Sequence, residues 1–373
     1  MREKDKFRGC LIGGAAGDAL GYAVEFMRID QIRRKYGDNG IISYKLKDGV
    51  AEISDDTQMT LFTANGLLIR TTRGMLRGIA AGAEGYCWRC YEAWLVTQNA
   101  DYETWKNGVK DINHEFPWLI RIPGLHKRRA PGNTVLGALH NGNSGTIDKP
   151  INDSKGCGGV MRVAPIGLYF EGNDAIDEIV MFGADNAALT HGHDLGYIPA
   201  AALVYLINRI IYSKTFKTLE EIAKDCIQKI NLLFADKPHI GEFNAIMNKA
   251  IELAKADRFD VDAITEIGEG WVAEEALAIA LYCSLKYNDN FEKAIIASVN
   301  HSGDSDSTGS ITGNIIGAIH GYKNIPERFI NNLELKDLIL EVADDLFRDC
   351  QVHEYQEEPW TDEDEKWFNK YAC

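Results

Sequence analysis

Glycine recurs at every fourth residue in two apolar segments near opposite ends of the chain, and this spacing restricts the possible fold strongly. The glycines are Gly9, Gly13, Gly17 and Gly21 in the first segment, and Gly309, Gly313, Gly317 and Gly321 in the second. Residues four apart lie on one face of a helix. Because glycine costs a water-exposed helix about 1 kcal/mol per residue, its repetition on one face indicates helix backbones packed unusually close in a dense centre.

Helical periodicity extends over most of the sequence, and no series of alternating strands interrupts it. In Val272–Tyr287, for example, apolar residues recur at intervals of three and four. Only Gly40–Tyr44 is typical of a short extended segment. The pattern predicts helices at residues 7–23, 57–72, 78–97, 177–190, 196–213, 218–234, 241–256, 272–287, 291–299, 308–321 and 335–349.

Long connections separate the predicted helices, chiefly at residues 24–53, 98–130 and 141–160. Connections longer than about 12–15 residues are usually functional or disordered, and we expect these to line the rim of a cleft. The basic segment Lys127–Thr134 is expected on this rim, where its charges either meet phosphates or are simply solvated. Residues 1–350 are predicted to form one domain. The acidic, aromatic segment 351–373 follows it as a tail whose aromatic side chains hold it against the domain surface.

Two acidic clusters lie nearly the whole length of the chain apart, at Ser54–Thr57 and Gly303–Thr308. Each directly precedes a predicted helix. Their carboxylates and hydroxyls are hard oxygen ligands, which suit Mg²⁺ or Mn²⁺ better than Zn²⁺. If the fold brings the clusters together, their four carboxylates can hold two ions about 3.5–4 Å apart, as in two-metal hydrolytic sites.

The alternative for either cluster alone is helix capping, because Asp, Ser and Thr are preferred at helix N-termini. A cap uses one side-chain oxygen, however, and each cluster holds more acids than a cap requires. The surplus carboxylates repel one another unless a cation lies between them. Taken together, the two clusters favour metal binding.

Two further motifs indicate ligand contact without proving it. The glycine-rich segment Lys155–Arg162 offers bare backbone amides that can form an anion-binding nest, although turns also use glycine. In Thr190–Asp194, the His-x-His-Asp pattern has too few ligands for a transition-metal site by itself. Hydrogen bonding to a ligand, or local loop structure, is favoured there.

Composition describes an ordinary globular protein, since 45% of the 373 residues are hydrophobic and 25% are charged. The net charge of -15 disfavours nucleic acid and anionic membranes as partners. No run of residues is expected to be long enough to span a bilayer, and the N-terminus makes a poor signal peptide. The scattered cysteines, including the pair Cys87 and Cys90, fit buried, reduced thiols. These features predict a cytoplasmic enzyme.

Five segments, in this order, resemble the motifs of the ADP-ribosylglycohydrolase family: Gly9–Glu25, Ser54–Met59, Gly156–Gly167, Thr190–Ala202 and His301–Gly317. The paired acidic clusters are the most specific of these motifs. The resemblance implies an all-α fold, a compact, orthogonally packed multi-helix domain with a binuclear Mg²⁺ or Mn²⁺ centre.

Motif matching also implies roles for individual residues. The implied metal ligands are Ser54, Asp55, Asp56, Asp304, Asp306 and Ser307. Relatives often have Thr in place of Ser307, a change that keeps the hydroxyl ligand. The implied contacts to the diphosphate and distal ribose are Gly156, Cys157, Gly158, Gly159, Met161 and His191. Glu25 matches a loop glutamate that lies near the metals.

The expected reaction is hydrolysis of the bond at C1″ of the distal ribose in an ADP-ribosylated protein. Bound metals would orient the vicinal hydroxyls and polarise water, while Glu25 or Asp304 transfers the proton. Arginine is the favoured acceptor residue, with serine and other conjugates as alternatives. A cytosolic antidote that opposes a toxin ADP-ribosyltransferase is a further alternative. A metal-dependent phosphohydrolase and a noncatalytic relative are less compatible with the helical pattern and the intact acidic clusters.

Overall fold

The computed structural model describes residues 2–78, 82–108, 117–172, 175–215, 217–353 and 359–372. Within these ranges the regular structure is helical, and the only β-type pairings are isolated bridges. The predicted all-α fold class is therefore confirmed. The α-helices, in chain order, are α1 (Lys4–Tyr22), α2 (Ile29–Tyr36), α3 (Asp55–Arg77), α4 (Ala83–Asn99), α5 (Tyr102–Gly108), α6 (Asn133–His140), α7 (Ala164–Tyr169), α8 (Ile176–Ala188), α9 (Asp194–Tyr212), α10 (Leu219–Leu233), α11 (Ile240–Lys255), α12 (Asp260–Ile267), α13 (Ala273–Lys286), α14 (Phe291–Val299), α15 (Ser305–His320), α16 (Lys336–Arg348) and α17 (Asp362–Tyr371).

Each helix that the periodicity predicted corresponds to one observed helix, with ends shifted by a few residues. The helices that the pattern missed are α2, α5, α6, α7, α12 and α17, which lie in segments expected to be connections or tail. The short extended segment predicted at Gly40–Tyr44 forms no strand. Its Ile41 amide instead donates to the side chain of Asn300, at 2.8 Å.

Helices α1 and α15 pack backbone against backbone at the centre of the fold. A Cβ atom placed on Gly13 would overlap the carbonyl oxygen of Gly313, and one on Gly17 would overlap that of Gly309. The close approach predicted from the glycine spacing is confirmed. Because Gly9 faces Gly317, the two helices are antiparallel and the end of α1 lies beside the start of α15.

The start of α3 joins this pair through Asp18, a buried acid in α1. Its carboxylate accepts hydrogen bonds from the Ser54 amide, at 2.9 Å, and from the Thr57 amide, at 3.1 Å. The Thr57 hydroxyl also donates to it. The end of α1 and the starts of α3 and α15 therefore meet, and both acidic clusters lie at this junction.

Helix α9 corrects the expectation that no segment is long enough to cross a membrane. By length and composition its 19 residues satisfy that criterion, yet 89% of its most apolar window is buried inside the protein. Its neighbours include α7, α8, α10 and α13. Helix α9 is accordingly a core helix of this fold.

The segment after residue 350 contains α17, which packs onto the rest of the protein. The Trp367 indole donates to the Thr72 hydroxyl at 2.9 Å, and the Tyr371 hydroxyl to Asp345 at 2.6 Å. Both aromatic side chains are buried. Within residues 359–372, these aromatic side chains contact the rest of the protein.

Candidate active site

The two acidic clusters meet at one wall of a cavity of about 340 Å³. Four carboxylates line it, all at most 5% exposed: Asp55, Asp56, Asp304 and Asp306. Ser307 also lines the cavity, and its hydroxyl lies 3.4 Å from Asp56 Oδ2. The fold thus brings together side chains that are about 250 residues apart in the sequence, as the sequence predicted.

At the start of α3, the capping interpretation holds for Ser54. Its Oγ accepts a hydrogen bond from the Asp56 amide at 3.2 Å, and it lies behind the acids rather than on the cavity surface. Asp55 accepts from the Gly132 amide at 3.3 Å. Asp56 Oδ1 is buried and has no hydrogen-bond partner among the described residues. The cap therefore leaves the Asp56 oxygen free for a ligand.

At the start of α15, helix capping and contacts at the cavity again use different oxygen atoms. Asp304 is the N-cap, and its Oδ1 accepts from the Ser307 amide at 3.2 Å. Asp306 Oδ1 accepts from the same amide at 3.0 Å. The other Asp304 oxygen accepts from the Cys157 thiol at 2.7 Å. Capping and a role at the cavity are compatible, since each uses different oxygens.

No cationic side chain among the described residues forms an ion pair with these four carboxylates. Burial, followed by the charge of Asp306, raises the pKa of Asp55 and of Asp56 well above its usual range. Burial and then Asp304 do the same to the pKa of Asp306. The site lacks positive charge, and a proton or a metal cation is needed to balance it.

The donor set fits Mg²⁺ or Mn²⁺. It consists of carboxylate and hydroxyl oxygens, which these ions prefer, and it includes the unpaired oxygen of Asp56. A divalent cation would offset the mutual repulsion that raises the carboxyl pKa values. The Cys157 thiol, a soft group, contacts this set through Asp304.

Glu25 is buried at the cavity and is not a solvated surface acid. It is 7% exposed, and its Oε2 has no hydrogen-bond partner among the described residues. Burial, and then the charges of Asp306 and Asp304, raise the pKa of Glu25 to about 11. Without bound cations, the Glu25 carboxyl therefore keeps its proton at neutral pH.

The glycine-rich loop also lines the cavity, next to Asp304. Its lining residues are Gly156, Cys157, Gly158 and Met161. Gly159 does not line the cavity: a Cβ atom there would lie 2.9 Å from Ala187 Cβ and 3.0 Å from the Gly196 oxygen. Glycine at position 159 is therefore required for packing against α8 and α9 and not for the approach of a ligand.

The loop is not a run of free amides. The Cys157 amide donates to the Trp271 carbonyl at 3.2 Å, and the Gly156 amide to Ser154 Oγ at 3.3 Å. Both amides are occupied by the protein itself. The predicted anion nest is therefore not formed at Gly156 and Cys157.

His191 also lines the cavity, where it lies against Gly156 and Gly158. Burial, followed by the charge of Arg162, lowers its pKa to about 3, so the imidazole is neutral at pH 7. Its Nδ1 lies 2.8 Å from the Thr190 hydroxyl.

Arg162 contacts the Thr190 hydroxyl that lies next to His191. It is completely buried, donates to the Thr190 hydroxyl at 2.9 Å, and lies over the Tyr91 ring. Sequence reasoning assigned no role to Arg162 or to Asp18. A charged residue inside an apolar segment was the available signal for both.

The cavity mouth is bordered by the segment Ala130–Val135, as expected for the rim. Two of the basic residues before it form ion pairs within the protein. Lys127 lies 2.8 Å and Arg129 3.0 Å from Glu334, so their charges are already paired. The mouth also carries a stacked aromatic pair, Phe26 and Trp271, with ring centroids 5.9 Å apart.

Comparison with known proteins agrees with this geometry. The model of one protein family, described as ADP-ribosylglycohydrolase, matches residues 1–356. The chain belongs to the ADP-ribosylglycohydrolase family. This assignment confirms the resemblance inferred from the motifs and establishes the chain as a hydrolase of that family. It also removes the phosphohydrolase alternative.

Two distant relatives of this ADP-ribosylglycohydrolase match it over most of its length. It is 24% identical to the ADP-ribosyl-dinitrogen reductase glycohydrolase of Rhodospirillum rubrum, over 89% of this chain and 91% of that protein. It is also 24% identical to the ADP-ribosylarginine hydrolase Tri1 of Serratia proteamaculans, over 92% of this chain and 79% of that protein. A solved structure described as an ADP-ribosylglycohydrolase-related protein complex superposes with a TM-score of 0.59 at 20% identity, over 92% of this chain and 98% of that chain. The fold is thus shared with that structure.

Proposed function

We propose that this protein is a divalent-metal-dependent hydrolase that releases ADP-ribose from modified arginine in proteins. The observation that carries the proposal is the cluster of four buried carboxylates, which have no cationic partner in the part of the chain that the structure describes, in a cavity that also contains Glu25. The arginine acceptor is supported by relatives named for ADP-ribosylarginine and for dinitrogen reductase. The cytoplasm is the proposed location, supported by the free thiols of the described cysteines.

Six residues would hold two Mg²⁺ or Mn²⁺ ions: Ser54, Asp55, Asp56, Asp304, Asp306 and Ser307. Such ions, when bound, orient sugar hydroxyls and lower the pKa of water. Ser54 contributes chiefly by holding Asp56 in place, because its hydroxyl is engaged as the cap of α3.

Glu25 is a better proton donor than Asp304. Both oxygens of Asp304 are occupied, one by the Ser307 amide and one by the Cys157 thiol. Glu25 Oε2 has no such partner, and its carboxyl keeps its proton in the ion-free protein. We assign to Glu25 the transfer of a proton to the nitrogen that leaves C1″, and the recovery of a proton from the water that adds there.

The glycine-rich loop and His191 would bind the remainder of the ligand. Gly156 and Gly158 leave space beside the acids that side chains would fill. His191, neutral and fixed by Thr190, presents a hydrogen-bonding nitrogen instead of a positive charge. This part of the cavity is where we place the distal ribose and the diphosphate.

The proposal is tested by a release assay on a protein ADP-ribosylated at arginine. Wild-type protein should release ADP-ribose with Mg²⁺ or Mn²⁺ and stop in EDTA. Asp304→Asn/Asp306→Asn should lose at least about 10²-fold in rate, because two metal ligands lose their charge, while Asn at 304 retains an N-cap acceptor. The exposed acid Asp337 supplies the control, Asp337→Asn, which should keep full activity.

Two results would overturn the proposal. One is full activity of the double variant in EDTA. The other is release from ADP-ribosylserine with none from ADP-ribosylarginine, which would replace arginine as the acceptor.

A further inference from the structure

A second group of potential ligands lies outside the cavity, at the starts of two helices. It consists of His193 and Asp194 at the start of α9 and His239 immediately before α11. One ligand atom from each residue lies within 4.8 Å of the others. The sequence pattern at 191–194 offers too few ligands for a metal, and the fold adds His239 from 45 residues further along the chain.

Both imidazoles converge on one carboxylate oxygen. Asp194 Oδ1 lies 2.7 Å from His239 Nδ1 and 2.9 Å from His193 Nδ1. The two rings lie side by side with centroids 4.5 Å apart. Asp194 itself is buried, whereas the side chains of His193 and His239 are 16% and 36% exposed. Solvent can therefore reach the histidines but not the carboxylate.

Two potential acceptor atoms lie close together at this point. The Leu195 amide is within hydrogen-bond distance of His193 Nδ1, at 3.0 Å, and of Asp194 Oδ1, at 2.9 Å. These two atoms lie 2.9 Å apart, so either a proton or a metal cation must lie between or beside them.

Capping explains only part of the arrangement. Asp194 lies at the start of α9 and its Oδ2 accepts from the His239 amide at 3.0 Å, next to the start of α11. A carboxylate is favourable at both helix N-termini. Capping alone does not require two imidazoles on the same oxygen.

Two imidazole nitrogens and one carboxylate oxygen suit Zn²⁺ and similar transition-metal ions, with a water molecule as a fourth ligand. The donor chemistry differs from the all-oxygen set at the cavity. We propose that His193, Asp194 and His239 bind one Zn²⁺-class ion that joins the start of α9 to the start of α11.

An ion bound at this position would also restrict the movement of the neighbouring loops. The His193 amide donates to the Ser154 carbonyl at 3.3 Å, so the His193 backbone holds the segment that precedes the glycine-rich loop. His191, which lines the cavity, is two residues away. The ion would therefore fix the segment that carries His191, independently of whether the proposed reaction is correct.

The test is a Zn²⁺ titration of the full chain by calorimetry, in excess Mg²⁺ so that the cavity acids are occupied. His239→Gln removes the imidazole but keeps an amide that can donate to Asp194, so the fold should persist. His140→Gln is the matched control, since His140 is exposed and bonds only to the Leu136 carbonyl at 2.7 Å. A third variant, Asp56→Asn/Asp306→Asn, reports on the cavity.

We expect one Zn²⁺ equivalent in the wild type, in His140→Gln and in the cavity variant, and at least a tenfold weaker affinity in His239→Gln. Zn²⁺ should also raise the unfolding temperature of the wild type but not of His239→Gln. Failure of the wild type to bind Zn²⁺, or unchanged affinity in His239→Gln, overturns the proposal. So does a Zn²⁺ site that disappears only in the cavity variant.

Discussion

The protonation state of the Glu25 carboxyl is controlled by the charges of its neighbours. Glu25 follows the end of α1, and burial together with Asp306 and Asp304 raises its pKa to about 11. Every cation bound to those carboxylates lowers the cost of ionising Glu25. Its protonation therefore depends on what the acids hold, which suits a group that must both give and recover a proton.

Glu25→Gln should lower turnover by about 10²–10⁴-fold, as removal of a general acid usually does. The amide has nearly the same size, so ADP-ribose affinity should stay within a few-fold of wild type. Steady-state release and calorimetry measure the two quantities. Glu327→Gln, at an exposed position, is the control. Near-normal turnover of Glu25→Gln would leave Asp304 as the proton donor.

Glycine substitutions in the loop should separate ligand binding from packing. A Cβ atom on Gly156 meets nothing closer than 3.4 Å, whereas one on Gly159 lies 2.9 Å from Ala187 Cβ. We expect Gly156→Ala to keep the wild-type unfolding temperature and to weaken ADP-ribose binding. Gly159→Ala should lower the unfolding temperature. Thermal unfolding and calorimetry check both outcomes, and the reverse assignment would contradict them.

At the scale of the helix, the contact between α1 and α15 sets the geometry of the site. Its glycines allow the backbones to touch, which places the end of α1 against Ser305. Asp18 then holds the start of α3 against the same helix. The site is therefore assembled by helix packing, and the acids themselves do not need to hold the helices together.

Gly13→Ala should destabilise the protein by at least about 1–3 kcal/mol, the usual cost of overpacking a core, because the new methyl group overlaps the Gly313 carbonyl. Gly137→Ala is the matched control in α6, since its Cβ atom would meet nothing within 4 Å. Alanine there should stabilise the helix by up to about 1 kcal/mol. Chemical denaturation measures both, and equal effects would contradict the packing argument.

The helices predicted from the sequence are those whose apolar or glycine pattern is long. Helix α2 was missed because Ile32 is its only buried residue, so its pattern resembles a polar loop. The meeting of the two acidic clusters was a hypothesis from their shared oxygen donors, and the family motifs that both clusters match supported it. The contacts of Asp18, of Cys157 with Asp304, and of His239 with Asp194 could not be predicted, because each depends on how separate helices approach.

At the scale of the whole molecule, the buried acids make stability depend on pH and on cations together. Burial, then the charge of Asp306, raises the pKa of Asp18 to about 7 from an unfolded value of 3.8. The folded state therefore binds the proton more tightly than the unfolded state. Its stability decreases as the pH rises from about 4 through 7, and the raised pKa values of Asp55, Asp56 and Asp306 act in the same direction.

In EDTA, the unfolding temperature should accordingly fall between pH 5 and pH 7. Mn²⁺ should raise it more at pH 7 than at pH 5, because metal ligands bind in their deprotonated form. Scanning calorimetry at both pH values measures the effect. Asp18→Asn should make the decrease in EDTA shallower. An unfolding temperature in EDTA that rises with pH over this interval would contradict the argument.

The pairing of α1 with α15 also has a consequence during synthesis. Gly13 and Gly313 are about 300 residues apart, and at about 5–20 residues per second a ribosome needs roughly 15–60 s to make the intervening chain. Throughout that time the glycine face of α1 cannot pack against α15. Asp55 and Asp56 likewise lack Asp304 and Asp306. A nascent or stalled fragment that stops before Asp304 therefore carries only half of the acidic set, and under the proposed function it would be inactive until both Asp304 and Asp306 have been synthesised.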